Sequence, residues 1–187
     1  MSEPVSPLIG RNAEGYIRIE DTGVRGQITL RGDLGSEPIA EVVRELVGVE
    51  IPATWQIARN GERKAVWMAP DELLLLLPRS EVAEAVARAG EMLAGQHHLV
   101  LDVSNARVVL RLTGAGVAEV LAKGAPCDLS ERAFPPGSAR RTRLGALAVG
   151  FWRLDEQVWE IVAFRSYAHH LMTWLEDAAR SGAEVRY

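Results

Sequence analysis

Cysteine is almost missing from this 187-residue chain, where Cys127 stands alone. One thiol makes no internal disulfide and builds no multi-cysteine zinc site. Basic blocks are missing too. Against 25 Asp and Glu there are 21 Lys and Arg, a formal charge of −4, and the main local cluster is only Arg140, Arg141 and Arg143. Nucleic-acid affinity comes mostly from neutralised phosphates, so that class of partner is excluded. The longest uncharged apolar run, Leu144–Trp152, is far short of the ~20 residues of a membrane helix. The opening MSEPVSPLIG puts an acid and two prolines where a signal peptide needs basic and then apolar residues, which predicts a cytoplasmic, reduced protein. No Walker loop, GxGxxG turn, GxSxG elbow or HExxH helix occurs, and each of those would fix a mechanism. What is present is ordinary globular material: 48% apolar and 25% charged residues, enough for a real core.

The periodicity predicts an α+β fold. Residues up to about Glu14 read as a loosely held arm, followed by strands at Tyr16–Glu20 and Gln27–Arg31. Ile39, Val42, Val43, Leu46 and Val47 form one helical stripe, with Ser36 as its cap and Gly48 as its end. Strands follow at Thr54–Arg59 and Ala65–Met68 around an Asn60-Gly61 turn. After Pro70-Asp71-Glu72, the leucines Leu73–Leu77 predict a strand buried on both faces. Ser80 then caps a helix carrying Val82, Val86, Ala89 and Leu93, with Glu84 and Arg88 as an i,i+4 pair, and Gly95 ends it. The order then recurs: strands at Leu99–Val103 and Arg107–Thr113, a short helix Gly114–Lys123, and a Pro/Gly/Ser-rich crossing Ala125–Ala139. Strands at Thr142–Arg153 and Val158–Ala163 come next, then a helix capped by Ser166 with Tyr167, Leu171, Trp174, Leu175 and Ala178 inward. Short stretches repeat with it. Leu30-Arg31 returns as Leu110-Arg111, residues 39–43 as 117–121, and Arg79-Ser80 as Arg165-Ser166. A nearly constant spacing is the mark of duplication. The expectation is one domain of two pseudo-repeats, about 16–96 and 99–182, each a strand–helix–strands–helix unit, too small to stand without a shared core.

Few residues point to chemistry. Gly114-Ala115-Gly116 could offer amides to an anion, or simply turn a strand into a helix. His97-His98 and His169-His170 are adjacent pairs, and neighbours in sequence diverge on helix and strand alike, so each pair reads as boundary or solvated histidines. Cys127 has no adjacent base and reads as inert. Asp71-Glu72 and Asp155-Glu156 read as solvated turn acids rather than acid/base dyads. Arg141 and Arg143 share a strand face with Arg153 at its end, a row suited to an acidic partner or to solvent. Of the tryptophans Trp55, Trp67, Trp152, Trp159 and Trp174, most read as core and one or two as interface anchors. Ala133-Phe134-Pro135-Pro136-Gly137 is a stiff apolar loop. Its Phe134 avoids water either by folding back on its own sheet or by docking into another subunit. Phe134, Pro135, Pro136, Arg141 and Arg143 are therefore the candidate partner contacts, and no residue qualifies as a catalytic, cofactor or metal site.

A family resemblance sharpens this. Leu101-Asp102-Val103-Ser104-Asn105, Val108–Leu112, Leu121–Leu129 and Ala133–Gly137 resemble the gamma subunit of heterotetrameric sarcosine oxidase. Trp67–Glu72, Arg165-Ser166 and Trp174-Leu175 add to the likeness. That family is in turn similar to the folate-binding domain of the glycine-cleavage aminomethyltransferase, through Asp102-Val103-Ser104. The resemblance implies a duplicated α+β domain working in the oxidative demethylation of sarcosine. That reaction yields glycine and hydrogen peroxide and passes the one-carbon unit to tetrahydrofolate. It implies alpha, beta and delta subunits as partners, with FAD, FMN, NAD, zinc and tetrahydrofolate held by those larger chains. The chain departs from the aminomethyltransferase pattern where acids serve the folate chemistry, because Leu147 and Ala148 fall about there. Hydrocarbon side chains accept neither a proton nor a hydrogen bond. The expectation is a non-catalytic subunit acting in assembly and stability. The rivals are a free-standing folate or small-amine binder, with tryptophans and Arg141/Arg143 around a pterin and its glutamate tail, and an aminomethyltransferase using Asp102.

Overall fold

A computed structural model describes residues 5–185. In chain order the elements are β1 (Asn12–Glu14), β2 (Arg18–Asp21), β3 (Gly26–Arg31), α1 (Glu37–Val47), β4 (Ile57–Asn60), β5 (Arg63–Ala69) and β6 (Glu72–Leu77). A 3₁₀ turn (Arg79–Glu81) leads into α2 (Val82–Met92), followed by β7 (Leu99–Asp102), β8 (Arg107–Thr113) and α3 (Val117–Ala122). Strands β9 (Ala139–Leu144), β10 (Leu147–Arg153) and β11 (Val158–Phe164) precede a second 3₁₀ turn (Arg165–Tyr167) and α4 (Ala168–Ala178). No helix among the described residues is long and apolar enough to cross a membrane.

The fold is α+β and duplicated. Two compact units divide the chain: Arg25–Asn105 forms one, and the stretch through Val24 together with the stretch from Ala106 onward forms the other. The boundaries therefore fall at 24/25 and 105/106, and the amino-terminal segment joins the later unit. Its β1 is a strand in what reads from sequence as a loose arm, and β2 falls on the strand expected at Tyr16–Glu20.

The central unit has a five-stranded sheet in the order β4-β5-β6-β3-β7, every pairing antiparallel. The other has six strands in the order β1-β2-β8-β11-β10-β9, again antiparallel throughout. Read from the opposite end, the second sheet matches the first strand for strand: β9, β10, β11, β8 and β2 stand where β4, β5, β6, β3 and β7 stand. The repeated dipeptides occupy like places in this scheme. Leu30-Arg31 lies on β3 and Leu110-Arg111 on β8, while Arg79-Ser80 and Arg165-Ser166 open the two 3₁₀ turns.

Each unit also has its own cluster of buried apolar side chains. In the central unit the α1 stripe Ile39, Val42, Val43, Leu46 and Val47 packs with Ile28, Leu30, Leu73, Leu75, Val82 and Ala89. In the other, Val117, Val120 and Leu121 of α3 and Leu171 and Leu175 of α4 pack with Leu110, Leu112, Phe151, Trp159 and Ile161. Leu73–Leu77 are all buried, as a strand covered on both faces requires.

Four local expectations change. Ser36 stands at the N-cap of α1 but its hydroxyl donates to the Asp33 carbonyl, so it closes the preceding turn. Ser80 and Ser166 lie inside the 3₁₀ turns rather than at the helix caps, and neither α2 nor α4 has a side-chain cap. The predicted strand Thr142–Arg153 is a hairpin, with Leu144 opposite Leu147 across Gly145-Ala146. Gly145 holds φ +58°, a left-handed conformation that glycine enters freely. The Asn60-Gly61 turn is displaced by one residue: Asn60 pairs with Arg63, and Gly61-Glu62 make the loop.

Candidate partner-facing surface

The crossing between α3 and β9 holds the apolar loop. Phe134 is 0% exposed, stacked on Trp159 with centroids 5.0 Å apart and tilted against Phe151 at 5.6 Å. Of the two arrangements open to it, the chain has the one that folds back on its own sheet. The ring is consumed by its own core, so Phe134 leaves the set of candidate contacts. Pro135 and Pro136 are exposed.

Arg153 fixes this loop, a role the sequence reading misses by counting it with the exposed arginines. It is 5% exposed on β10. Its Nη1 donates to the Phe134 carbonyl (3.0 Å), Nη2 to that of Glu156 (2.9 Å) and Nε to that of Asp155 (3.2 Å). The guanidinium also lies 5.4 Å from the Trp159 ring centroid, a cation–π contact in a desolvated place. Gly137 N–H donates to Arg153 O, and Arg153 N–H to Ser138 O. The prolines therefore sit on a braced platform. Beside them, Arg141 and Arg143 are exposed on one face of β9, opposite Gly150 and Ala148 of β10. The structure thus presents four of the five candidate contacts, Pro135, Pro136, Arg141 and Arg143, at the surface of one unit.

The acidic pairs divide. Asp155 and Glu156 are exposed turn residues. Glu72 instead is buried, the first residue of β6, with a carboxylate oxygen 4.0 Å from Arg31 Nε. Its counterpart in the other unit is Glu160, which faces Arg111 across β11 and β8 as Glu72 faces Arg31 across β6 and β3. Glu160 is 0% exposed and accepts from Arg111 Nη2 (3.1 Å) and Trp152 Nε1 (2.9 Å). Charge buried this deeply persists only when paired and hydrogen-bonded. A glutamate interrupting the apolar run Val158–Phe164 is the signal that would have found it.

The remaining candidates serve the fold. Gly116 precedes α3 because a Cβ there would stand 2.5 Å from the Tyr16 ring, and α3 itself is only six residues long. Tyr16 donates to Glu119 (3.1 Å); burial first, then that carboxylate, hold its hydroxyl well above the ordinary phenol range. Asp102 accepts from the Ser104 hydroxyl (2.5 Å) and backbone N–H (2.9 Å) and lies 3.3 Å from Arg79. It ties the end of β7 to the turn before α2. Burial pushes the Cys127 thiol up, outweighing the opposite pull of Arg140. Among the described residues no three His, Cys, Asp or Glu side chains converge as metal ligands. Trp152 and Trp159 are buried, Trp174 packs near Gly124 and Gly145, and Trp55 and Trp67 belong to the central unit. Leu147 is buried at the start of β10 and Ala148 is exposed beside it.

The sarcosine oxidase, gamma subunit family model matches residues 31–181. This chain belongs to that family. Curated gamma subunits agree: one from Corynebacterium sp. (strain P-1) is 36% identical over 166 residues, covering 88% of this chain and 80% of its own length. Another from an Arthrobacter species is 33% identical over 169 residues, with the same coverage of 88% and 80%. A chain of the solved heterotetrameric sarcosine oxidase from Corynebacterium sp. U-96, in complex with pyrrole 2-carboxylate, matches with TM-score 0.81 and 29% identity over 93% of both chains. The glycine cleavage system aminomethyltransferase T of Bartonella henselae shares the fold alone, with TM-score 0.63, 17% identity, and coverage of 86% of this chain and 45% of that one.

Proposed function

We propose that this chain is the gamma subunit of a heterotetrameric sarcosine oxidase and that its role is structural, in assembly and stability of the complex. The observation that carries the reading is end-to-end likeness, over 93% of both lengths, to a chain of one such oxidase. The complex demethylates sarcosine oxidatively, giving glycine and hydrogen peroxide and passing the one-carbon unit to tetrahydrofolate. Its alpha, beta and delta subunits carry FAD, FMN, NAD, zinc and the folate. The side chains of this chain support the division of labour. Leu147 and Ala148 offer no proton acceptor, Asp102 is spent on Ser104 and Arg79, and the raised Cys127 thiol is a poor nucleophile. The braced Pro135-Pro136 loop and the arginines of β9 are surface that an acidic partner would recognise.

Purification from the source cells tests this. The chain is expected to elute with larger flavin-bearing subunits, and elution alone at 20.4 kDa would refute the reading. The isolated chain should produce neither glycine nor peroxide from sarcosine. Tight folate binding by calorimetry would favour a free-standing binder instead.

A further inference from the structure

The duplication leaves one strand position filled in one unit and open in the other. Beside β2 lies β1, pairing Asn12 with Glu20, Ala13 with Ile19 and Glu14 with Arg18, and the Asp21 N–H donates to the Arg11 carbonyl at 3.3 Å. The matching strand of the central unit is β7, which pairs with β3 as β2 pairs with β8. Leu99 stands opposite Arg31 and Val100 opposite Leu30, where Glu20 stands opposite Arg111 and Asp21 opposite Leu110. Val100 is thus the counterpart of Asp21. The sheet ends at β7, with no described strand beyond it.

Ladder geometry says which groups face that open edge. Val103 N–H donates to Gln27 O, so in the alternation of an antiparallel pair the N–H and C=O of Val100 and Asp102 point away from β3. The side chains add a second observation. Val100 turns inward against the central core, while Leu99 and Leu101, on the opposite face of β7, are 44% and 50% exposed. A free edge bearing two apolar side chains at alternate positions is a template for another strand, which natural proteins normally cover or charge. The other unit covers it with its own chain, and at the edge position opposite Arg111 it carries Glu20 where β7 carries Leu99.

We infer that the outer edge of β7 receives an extended segment of another subunit of the oxidase, antiparallel to β7, completing a six-stranded sheet. The incoming strand carries apolar side chains at alternate positions, packed on Leu99 and Leu101, and its backbone meets the Val100 and Asp102 groups. This rests on the subunit reading above. Strand addition supplies affinity through main-chain hydrogen bonds and specificity through alternate side chains.

The test is hydrogen exchange on the full chain, isolated and within the purified oxidase, together with two variants assembled in the same way. The Val100 and Asp102 amides should exchange quickly in the isolated chain and at least tenfold more slowly in the complex. The double variant Leu99→Lys/Leu101→Lys changes only exposed side chains, so it should keep the isolated chain's exchange pattern and lose most of its incorporation. Val100→Pro deletes an edge N–H that β3 does not use, and it should also weaken incorporation; its circular dichroism shows whether the unit still folds. If the wild-type chain assembles but the two amides stay unprotected, or the lysine variant assembles normally, the strand proposal is overturned while the subunit reading stands. Protection appearing in the isolated chain together with a doubled mass would assign the edge to a second copy and also overturn it. If the wild-type chain never co-purifies with larger subunits, both readings fall.

Discussion

Three backbone carbonyls converge on Arg153, and this convergence sets the cost of replacing it. Arg153→Met keeps an aliphatic stem against Trp159 while removing the donors to Phe134, Asp155 and Glu156. Losing a buried guanidinium that serves several acceptors should cost about 2–4 kcal/mol, read as a lower urea midpoint. A variant within ~0.5 kcal/mol of wild type would mean the loop is held by the Phe134 ring alone. Cys127 gives a pH prediction whose sign follows from burial. A thiol with a raised pKa carries less thiolate at any given pH. Alkylation of the folded chain at pH 8 should therefore run several-fold slower than alkylation of the urea-unfolded chain. The gap should narrow as the pH rises and both become thiolate. Equal rates at pH 8 would show that the surroundings of Cys127 do not disfavour its anion.

Glycines show how far the secondary elements tolerate change. Gly90 lies inside α2 and a Cβ there meets nothing within 4 Å. Gly90→Ala should therefore stabilise the chain by about 0.5–1 kcal/mol, the usual helix-interior penalty of glycine. Gly124, just past α3, behaves oppositely: a Cβ would stand 2.6 Å from Trp174 Cζ2 and 3.1 Å from Gly145 N. Gly124→Ala should cost roughly 1–3 kcal/mol as an overpacking change. Urea denaturation of the two variants side by side checks both signs. Elements of this kind were largely readable beforehand, because period-3.6 stripes such as Ile39–Val47 and the leucine strand leave one burial pattern available. What escaped was non-local. Strand β1 exists through its pairing with β2, and Gly145-Ala146 reads as continuous apolar strand until Leu144 meets Leu147. Ser80 and Ser166 look like caps, but a 3₁₀ turn comes first in both repeats. The surface was half legible. Arg141 and Arg143 follow from alternation on β9, whereas the Arg153 brace and the Glu160 pair depend on contacts that spacing does not encode.

At the scale of the molecule, the exposed apolar side chains decide how the chain behaves alone. Trp55, Leu99, Leu101, Phe164 and Tyr167 are all exposed. Trp55 also holds φ +63°, a conformation that costs a bulky residue free energy and persists where its surroundings impose it. Exposed apolar side chains of this size make a surface sticky in water. Sedimentation equilibrium of the isolated chain should therefore give a weight-average mass that climbs above 20.4 kDa with concentration. The increase should shrink when Leu99 and Leu101 are both replaced by lysine, since it comes from unspecific side-chain contact and leaves the Val100 and Asp102 amides open to exchange. Its size should not depend on Cys127, so reducing agent should leave the curve unchanged. A strictly monomeric profile at high concentration would mean that these side chains do not drive association in water. The case for a covered surface would then rest on the complex alone.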